Sequence, residues 1–291
     1  MYNDHKVIVC VPSGRYRYMR IILAYLLSPQ FSSTIDEIRL WVNTDEATDL
    51  AYFERMEVQH PKVRRILAPG NLNKACYDAA RNHFQYNDSI YRFYSDCIEP
   101  KTLYVKVDDD IVYIHPEFFN RLFRDVLARK AENYACVANV FNIPYVTKVL
   151  QDRGTIADAQ GHSTGDPRCP FACTNGDFAV YIHRQFLTMI IDRKVDDLCF
   201  KSRALSGRQR VGVMAWRGES FASFNGQVGP RDEVELTTRI PQDLNKPLWM
   251  VGDAIACHFA FSHQRAVLED KTNMLDKYLT LSLELNGDLA G

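Results

Sequence analysis

Several absences narrow the class of this chain before any motif is read. No stretch approaches the roughly 18 uninterrupted apolar residues that a membrane span needs. The early apolar run from Val7 to Val11 is too short for the core of a signal peptide, and Pro12-Ser13-Gly14 follows it instead of a cleavage site. Neither charge is in excess. Lysine plus arginine (35) nearly balances aspartate plus glutamate (36), leaving a net charge of -1, so no nucleic-acid partner held by bulk charge is expected. The sequence has no G-x-x-x-x-G-K-[ST] and no G-x-G-x-x-G, which argues against a P-loop and a dinucleotide site. Of its eight cysteines only Cys169 and Cys173 lie close together, and no second Cys/His pair at a matching spacing completes a zinc set. Cys10, Cys136 and Cys257 sit inside apolar runs, where a reduced thiol packs as a small hydrophobe. There is no internal repeat and no Pro- or Ser-rich linker. The expectation is a soluble, cytoplasmic protein in a reducing compartment, folded as one domain over 1–291.

What is present is a hydrophobic fraction of 46%, ordinary for a globular protein, and an alternation of strand and helix signals. Lys6–Val11 is a short β-branched run. Met19, Ile22, Leu23, Leu26 and Leu27 fall at helical spacing and stop at Ser28-Pro29. Ile35–Val42 predicts a second strand, then Asn43, Thr44 and Asp45 offer caps for a helix through Met56. Val63–Leu67 predicts a third strand, Asn71–Phe84 is amphipathic, and Thr102–Val107 predicts a fourth strand. Pro116 opens a helix with Phe119, Leu122, Phe123 and Val126 on one face, and Tyr134–Val140 returns to strand. This order predicts an α/β fold with a mostly parallel sheet and helices on both faces.

The second half is less regular and predicts a smaller mixed portion. Residues 151–170 read as a long mobile loop, a candidate lid over a bound donor. Phe178–Ile182 reads as strand-like. Lys201, Arg203, Arg208, Arg210 and Arg217 make a local basic stretch in a neutral protein. Leu248–Phe261 predicts a strand, and about Thr272–Leu285 a helix. The halves divide as 1–140, expected to bind a nucleotide, and 141–291, expected to bind an acceptor.

The segment that carries chemistry is TLYVKVDDDIVYIHPEFF, residues 102–119. Three adjacent carboxylates at the end of an apolar strand repel one another, and a divalent cation offsets that cost. On an extended chain Asp108 and Asp110 point one way and Asp109 the other. Two carboxylates on one side can share a cation, or one can hold the metal and the other a sugar or ribose hydroxyl. In open α/β sheets ligands collect at the carboxyl ends of strands, where this run lies.

YVKVDDDIVYI resembles the D-x-D segment of GT-A glycosyltransferases. A second block, residues 232–265, is similar to an acidic pair, a Leu-Thr-x-x-x-Pro segment, Gly-Asp-Ala and a His-Phe-x-Phe-x-x-Gln-Arg stretch of some bacterial and viral members. The resemblance implies a Rossmann-like GT-A fold and transfer of a sugar from a nucleotide-sugar donor, UDP by default, to a glycan-type hydroxyl. It implies Mn²⁺ or Mg²⁺ held by Asp110, with Asp108 on the same ion or on the ribose, and by His258, for which His263 competes. Of the acidic pair, Asp232 is favoured over Glu233 as the general base of an inverting reaction; the bland reading is an acid complementing a helix dipole. The donor is expected at Pro12, Ser13, Gly14 and Arg15, then at Asn43, Thr44 and Asp45, with Asp109 beside the other two aspartates. Arg208 and Arg210 are candidates to neutralise the leaving diphosphate. Trp216 and Phe221 are candidates for an apolar shelf under the acceptor, and Asn175, Gly176 and Asp177 for contacts to donor sugar or acceptor. The competing functions are a metal-dependent sugar-phosphate nucleotidyltransferase and a non-catalytic carbohydrate-binding protein on the same fold.

Overall fold

The computed structural model describes residues 1–67, 76–78, 83–85, 90–158, 161–229 and 231–286. The first apolar run folds as β1 (Lys6–Ser13), followed by β2 (Glu37–Val42) and β3 (Val63–Leu67). A separate ribbon pairs β4 (Cys76–Asp78) antiparallel with β5 (His83–Gln85), inside the amphipathic stretch 71–84; the rest of that stretch lies outside the described residues. Then come β6 (Thr102–Val107), β7 (Ile111–Ile114), β8 (Ala135–Phe141), β9 (Arg203–Leu205), β10 (Val213–Arg217) and β11 (Leu248–His258). The main sheet runs β3-β2-β1-β6-β10-β8-β11-β7, with β9 also paired to β11.

Strands β3, β2, β1 and β6 are mutually parallel, and so are β8 and β11. Because β10 is antiparallel to both β6 and β8, all six of those strands run one way. The protein is therefore α/β with a mostly parallel sheet. Every residue of β6 and of β8 is buried, whereas a strand with one wet face would alternate, so both faces are covered. The helices Tyr16–Leu26 and Phe118–Ala128 supply much of that cover, the first packing on β7 and the second on β8, β10 and β11.

Two expectations fail here. Phe178–Ile182 is not strand but the interior of a helix, Gly176–Ile191. Asn175 caps it, Oδ1 accepting from the Phe178 N–H at 3.0 Å, and a capped apolar run of that length is helix on both counts. Trp216 and Phe221 form no shelf. Both are wholly buried, their rings stack at 4.5 Å, and Trp216 Nε1 donates to the Cys97 carbonyl at 3.1 Å. Within the stretch 151–170, residues 153–158 and 161–169 are irregular between two helices, and the second of these segments is tied down. Ser163 is fully buried, its N–H donates to Gln151 Oε1 at 2.8 Å and its hydroxyl to the Pro144 carbonyl at 2.8 Å.

Strand β11 shifts register between Val251 and Ile255, and Gly252 sits at that irregularity. Its carbonyl accepts from Asn139 Nδ2 at 2.9 Å and from the Phe200 N–H at 3.1 Å. The two backbones approach so closely that a Cβ on Gly252 lies 2.0 Å from the Phe200 carbonyl oxygen. Gly252→Ala is therefore expected to cost about 1–3 kcal/mol, as overpacking does. The check is urea unfolding: a lower midpoint at unchanged slope is expected, and a wild-type midpoint would show that Phe200 does not hold this strand so tightly.

Candidate active site

After β1 the chain turns outward to β2 and β3, then returns to place β6 on the other side of β1. The carboxyl ends of β1 and β6 therefore flank a topological switch point, the crevice where open α/β sheets bind ligands. A cavity of about 530 Å³ opens there. Ten of the residues singled out in the sequence line it: Pro12, Gly14, Arg15, Asn43, Asp108, Asp109, Asp110, Arg210, Glu233 and His258. Ile143, Val211, Gly212, Phe261 and Arg265 complete the wall.

The three aspartates do not alternate as an extended chain would. The Ile111 N–H donates to the Asp108 carbonyl at 3.2 Å, so residues 108–111 form a turn that carries the chain from β6 to β7. Two consequences follow. Asp109 and Asp110 fall together under one guanidinium: Arg15 Nε donates to Asp109 Oδ2 at 3.0 Å, and its Nη2 reaches both Asp109 Oδ1 and, at 2.9 Å, Asp110 Oδ2. Asp108 instead faces back along β6, with Oδ1 held by Lys106 Nζ at 2.6 Å.

Because β7 pairs with β11, Ile111 lies opposite His258, and the next N–H, that of Phe259, donates to the Asp110 carbonyl at 2.8 Å. This register brings His258 Nε2 to 3.6 Å and Arg265 Nη2 to 3.4 Å from Asp110 Oδ2. Burial opposes the charge on Asp110, but His258, Arg15 and Arg265 hold its carboxyl well below the usual carboxylate range. Asp108 behaves differently. Enclosure raises it to about 7, Lys106 opposing and Asp110 and Glu233 adding to the rise. Burial pulls Lys106 down, and Asp108, Asp232 and Glu233 outweigh it, so the ammonium stays charged.

The acidic pair divides. Glu233 faces the cavity; its Oε2 pairs with Arg210 Nη1 at 2.9 Å and its Oε1 accepts from the Val211 N–H at 3.2 Å. Asp232 is outside the lining and accepts from the Tyr94 hydroxyl at 3.2 Å. Other expected residues also lie elsewhere. Ser13 is buried with its hydroxyl on the Val11 carbonyl at 2.7 Å. Thr44 is spent on Asp49 and the Glu46 N–H, and Asp45 and His263 are exposed away from the lining. Arg208 is absent from the lining. Asn175 is engaged as a cap, Gly176 is packed on Val267, and Asp177 is exposed.

Arg265 and Lys106 were not identified from the sequence. The signal for Lys106 was a lone cation in a run of buried strand residues, which demands a buried partner. Arg265 follows Gln264, wholly buried and fixed by bonds to the Phe261 N–H and the Ala172 carbonyl, and so is aimed by its neighbour.

Among the described residues, no three carboxylate, imidazole or thiol groups converge on one point. The expected set of Asp108, Asp110 and His258 is thus not assembled: Lys106 holds an oxygen of Asp108, and Arg15 and Arg265 lie on Asp110 Oδ2. Asp110 Oδ2 and His258 Nε2 are the carboxylate–imidazole pair that faces the cavity, and an ion there would displace the two guanidiniums from that oxygen. The 3.6 Å separation of the pair suits two ligands each roughly 2.0–2.2 Å from one ion. One or two protein donors with the rest supplied by substrate phosphates is how such cations are commonly held. The pair fits a divalent ion completed by a phosphorylated ligand.

No family model matches the chain, and no curated protein matches it. Among solved structures the chain is similar to a CMP:2-keto-3-deoxy-manno-octonic acid synthetase complexed with CTP, at 9% identity over 94% of this chain and 99% of that chain, TM-score 0.44. It is similar to the 4-diphosphocytidyl-2C-methyl-D-erythritol synthase of Anaerococcus prevotii at 10% identity over 95% and 96%, TM-score 0.41. It is also similar to the glucosyl-3-phosphoglycerate synthase of Mycobacterium tuberculosis, in complex with Mn²⁺, UDP and glucosyl-3-phosphoglycerate, at 13% identity over 99% and 82%, TM-score 0.41. Likenesses of that depth leave the site to be judged on its own residues.

Proposed function

We propose that this chain is a metal-dependent glycosyltransferase that moves a sugar from a nucleotide-sugar donor, with UDP the first candidate, to a hydroxyl acceptor. The observation that supports it most is the make-up of one cavity. A carboxylate–imidazole pair, Asp110 and His258, stands at the switch point beside Arg15, Arg210 and Arg265. Ligands for a cation together with several guanidiniums suit a diphosphate, whose oxygens would coordinate the ion and accept from the guanidiniums.

In this reading Asp110 and His258 hold Mn²⁺ or Mg²⁺, and the ion supplies Lewis-acid neutralisation of the leaving diphosphate. Arg15, Arg210 and Arg265 are fixed positive groups where charge develops on the departing nucleotide. Arg15 is already oriented by Asp109, so it spends little rotamer freedom on meeting a phosphate. The nucleotide lies against Pro12, Gly14 and Asn43 at the ends of β1 and β2. A Cβ at position 14 would lie 3.3 Å from the Asn43 carbonyl, so glycine keeps that strip of backbone open. Glu233 accepts the proton of the attacking hydroxyl. It replaces Asp232 in that role because it is the member of the pair that reaches the cavity. A positioned base of this kind fits inversion at the anomeric carbon.

Two measurements test this reading. Calorimetric titration of UDP and GDP, with and without Mn²⁺, is expected to show metal-dependent binding of one nucleotide. Asp110→Ala is expected to weaken it about tenfold to a hundredfold, the scale of one lost charged contact. Equal binding with and without metal would remove the cation from the site. The second follows UDP release from a panel of UDP-sugars. Glu233→Gln is expected to lower turnover roughly 10²–10⁴-fold while leaving UDP affinity within a few fold, and Asp232→Asn to lower it much less. The opposite ranking returns the base to Asp232. Turnover of a sugar phosphate with a nucleoside triphosphate, and of no nucleotide sugar, makes the protein a nucleotidyltransferase instead.

A further inference from the structure

A second cluster of buried polar groups lies one layer behind His258. His183, on the helix Gly176–Ile191, and Tyr278, on the helix Met274–Asn286, are both wholly buried. His183 Nε2 lies 2.7 Å from the Phe259 carbonyl oxygen, and its Nδ1 lies 2.8 Å from the Tyr278 hydroxyl. A carbonyl oxygen can only accept, so Nε2 carries the proton. In the neutral ring Nδ1 then accepts, and the tyrosine donates. Burial pushes the His183 imidazole down to about 4, which agrees with a ring that works as a neutral donor. The Phe259 carbonyl thus sets the tautomer of His183, and the Tyr278 hydroxyl, by donating to Nδ1, holds the ring in that orientation.

Residue 259 is the point where β11 is tied to the aspartate turn. Its N–H donates to the Asp110 carbonyl at 2.8 Å. Its carbonyl accepts from His183 and, at 2.9 Å, from Asn142 Nδ2. Held at both ends, this residue fixes the backbone next to His258 at a place where β11 shifts register between Cys257 and His258. Without an anchor, a shift there would let the His258 ring swing relative to Asp110 Oδ2.

We infer that His183, oriented by Tyr278, is a positioning residue that fixes His258 against Asp110 through the backbone of Phe259. The inference rests on reading Asp110 and His258 as the cation's donors, and it extends the site to two helices that do not touch the cavity.

The test uses the full chain and two readouts, one needing no metal. Amide hydrogen exchange by NMR follows the Phe259 N–H, with the Val9 N–H of β1 as the core reference. Electron paramagnetic resonance of free Mn²⁺ gives the affinity for the ion alone. Tyr278→Phe and His183→Leu are expected to speed exchange at Phe259 about tenfold, leave Val9 unchanged, and weaken Mn²⁺ about tenfold to a hundredfold, as loss of an outer-shell partner does. His183→Gln, which keeps an N–H at the end of the side chain, is expected to restore most of both. Should His183→Leu fail to fold, Tyr278→Phe, which deletes one oxygen, decides alone. Unchanged exchange at Phe259, or exchange rising equally at Val9, overturns the inference. A wild-type protein with no Mn²⁺ affinity but with the selective exchange effect overturns the cation reading and supports the positioning.

Discussion

Holding three consecutive carboxylates at the end of a strand, two of them buried, sets the terms for everything around them. Asp109 and Asp110 are almost closed to water, at 6% and 5% exposure, and an unpaired buried charge is strongly destabilising, by roughly 3–5 kcal/mol when a partner is removed. Each carboxylate is answered by a cation from a different part of the chain. Lys106 comes from β6 itself, Arg15 from the turn after β1, and Arg265 from the helix Ser262–Asp270, while His258 closes β11. These pairs join segments distant in sequence at the carboxyl ends of β1 and β6. Three of those groups, Arg15, Arg265 and His258, also form part of the wall of the cavity. Stability and binding are therefore coupled at this site, since any ligand that takes Arg15 or Arg265 must compete with Asp109 and Asp110.

The turn at 108–111 decides what a D-x-D spacing means here. In an extended chain alternate residues share a face, and Asp108 and Asp110 would act together. The Asp108 carbonyl instead accepts from Ile111, which rotates Asp109 and Asp110 under Arg15 and leaves Asp108 to Lys106. Residue 108 is then distinguished by environment as much as by position. Its carboxyl sits near neutrality while that of Asp110 stays ionised. Two aspartates two residues apart thus hold opposite electrostatic characters, as happens when one environment supplies several positive neighbours and the other supplies one.

Much of this architecture was legible because its signals are local. β1, β3 and β6 are short apolar or β-branched runs bounded by breakers, and β11 lies within the recognisable block 232–265 and ends on His258. The aspartates stood out as charge where the pattern demanded apolar side chains. What escaped depends on partners far along the chain. β10, Val213–Arg217, is the antiparallel strand between β6 and β8, yet its neighbourhood reads as a basic stretch, and five residues are too few to display a period. The helix from Gly176 was misread because Phe178–Ile182 is apolar enough for a buried strand, and only the Asn175 cap separates the two. Ser13 and Asn43 look alike as polar residues ending strands, but Ser13 is turned onto its own backbone while Asn43 lines the cavity. Sequence gives the residue type and not that rotation.

The different placements of Asp232 and Glu233 show how tertiary geometry separates neighbours that the sequence leaves equivalent. Adjacent residues at the start of a helix project about 100° apart, so only one can serve a given surface. Asp232 turns to Tyr94, a buried hydroxyl that needs a partner. Glu233, with one more methylene, reaches the backbone N–H of Val211 and the guanidinium of Arg210. Arg210 is itself held by the Pro167 carbonyl at 3.1 Å, at the end of the irregular stretch that the sequence suggested as a lid. Glu233 is thereby linked through one side chain to that stretch and through a backbone N–H to the segment entering β10. A phosphorylated ligand that draws Arg210 towards it must compete with the Glu233 carboxylate and the Pro167 carbonyl, so occupancy of the cavity and the placement of Glu233 are tied through a single arginine.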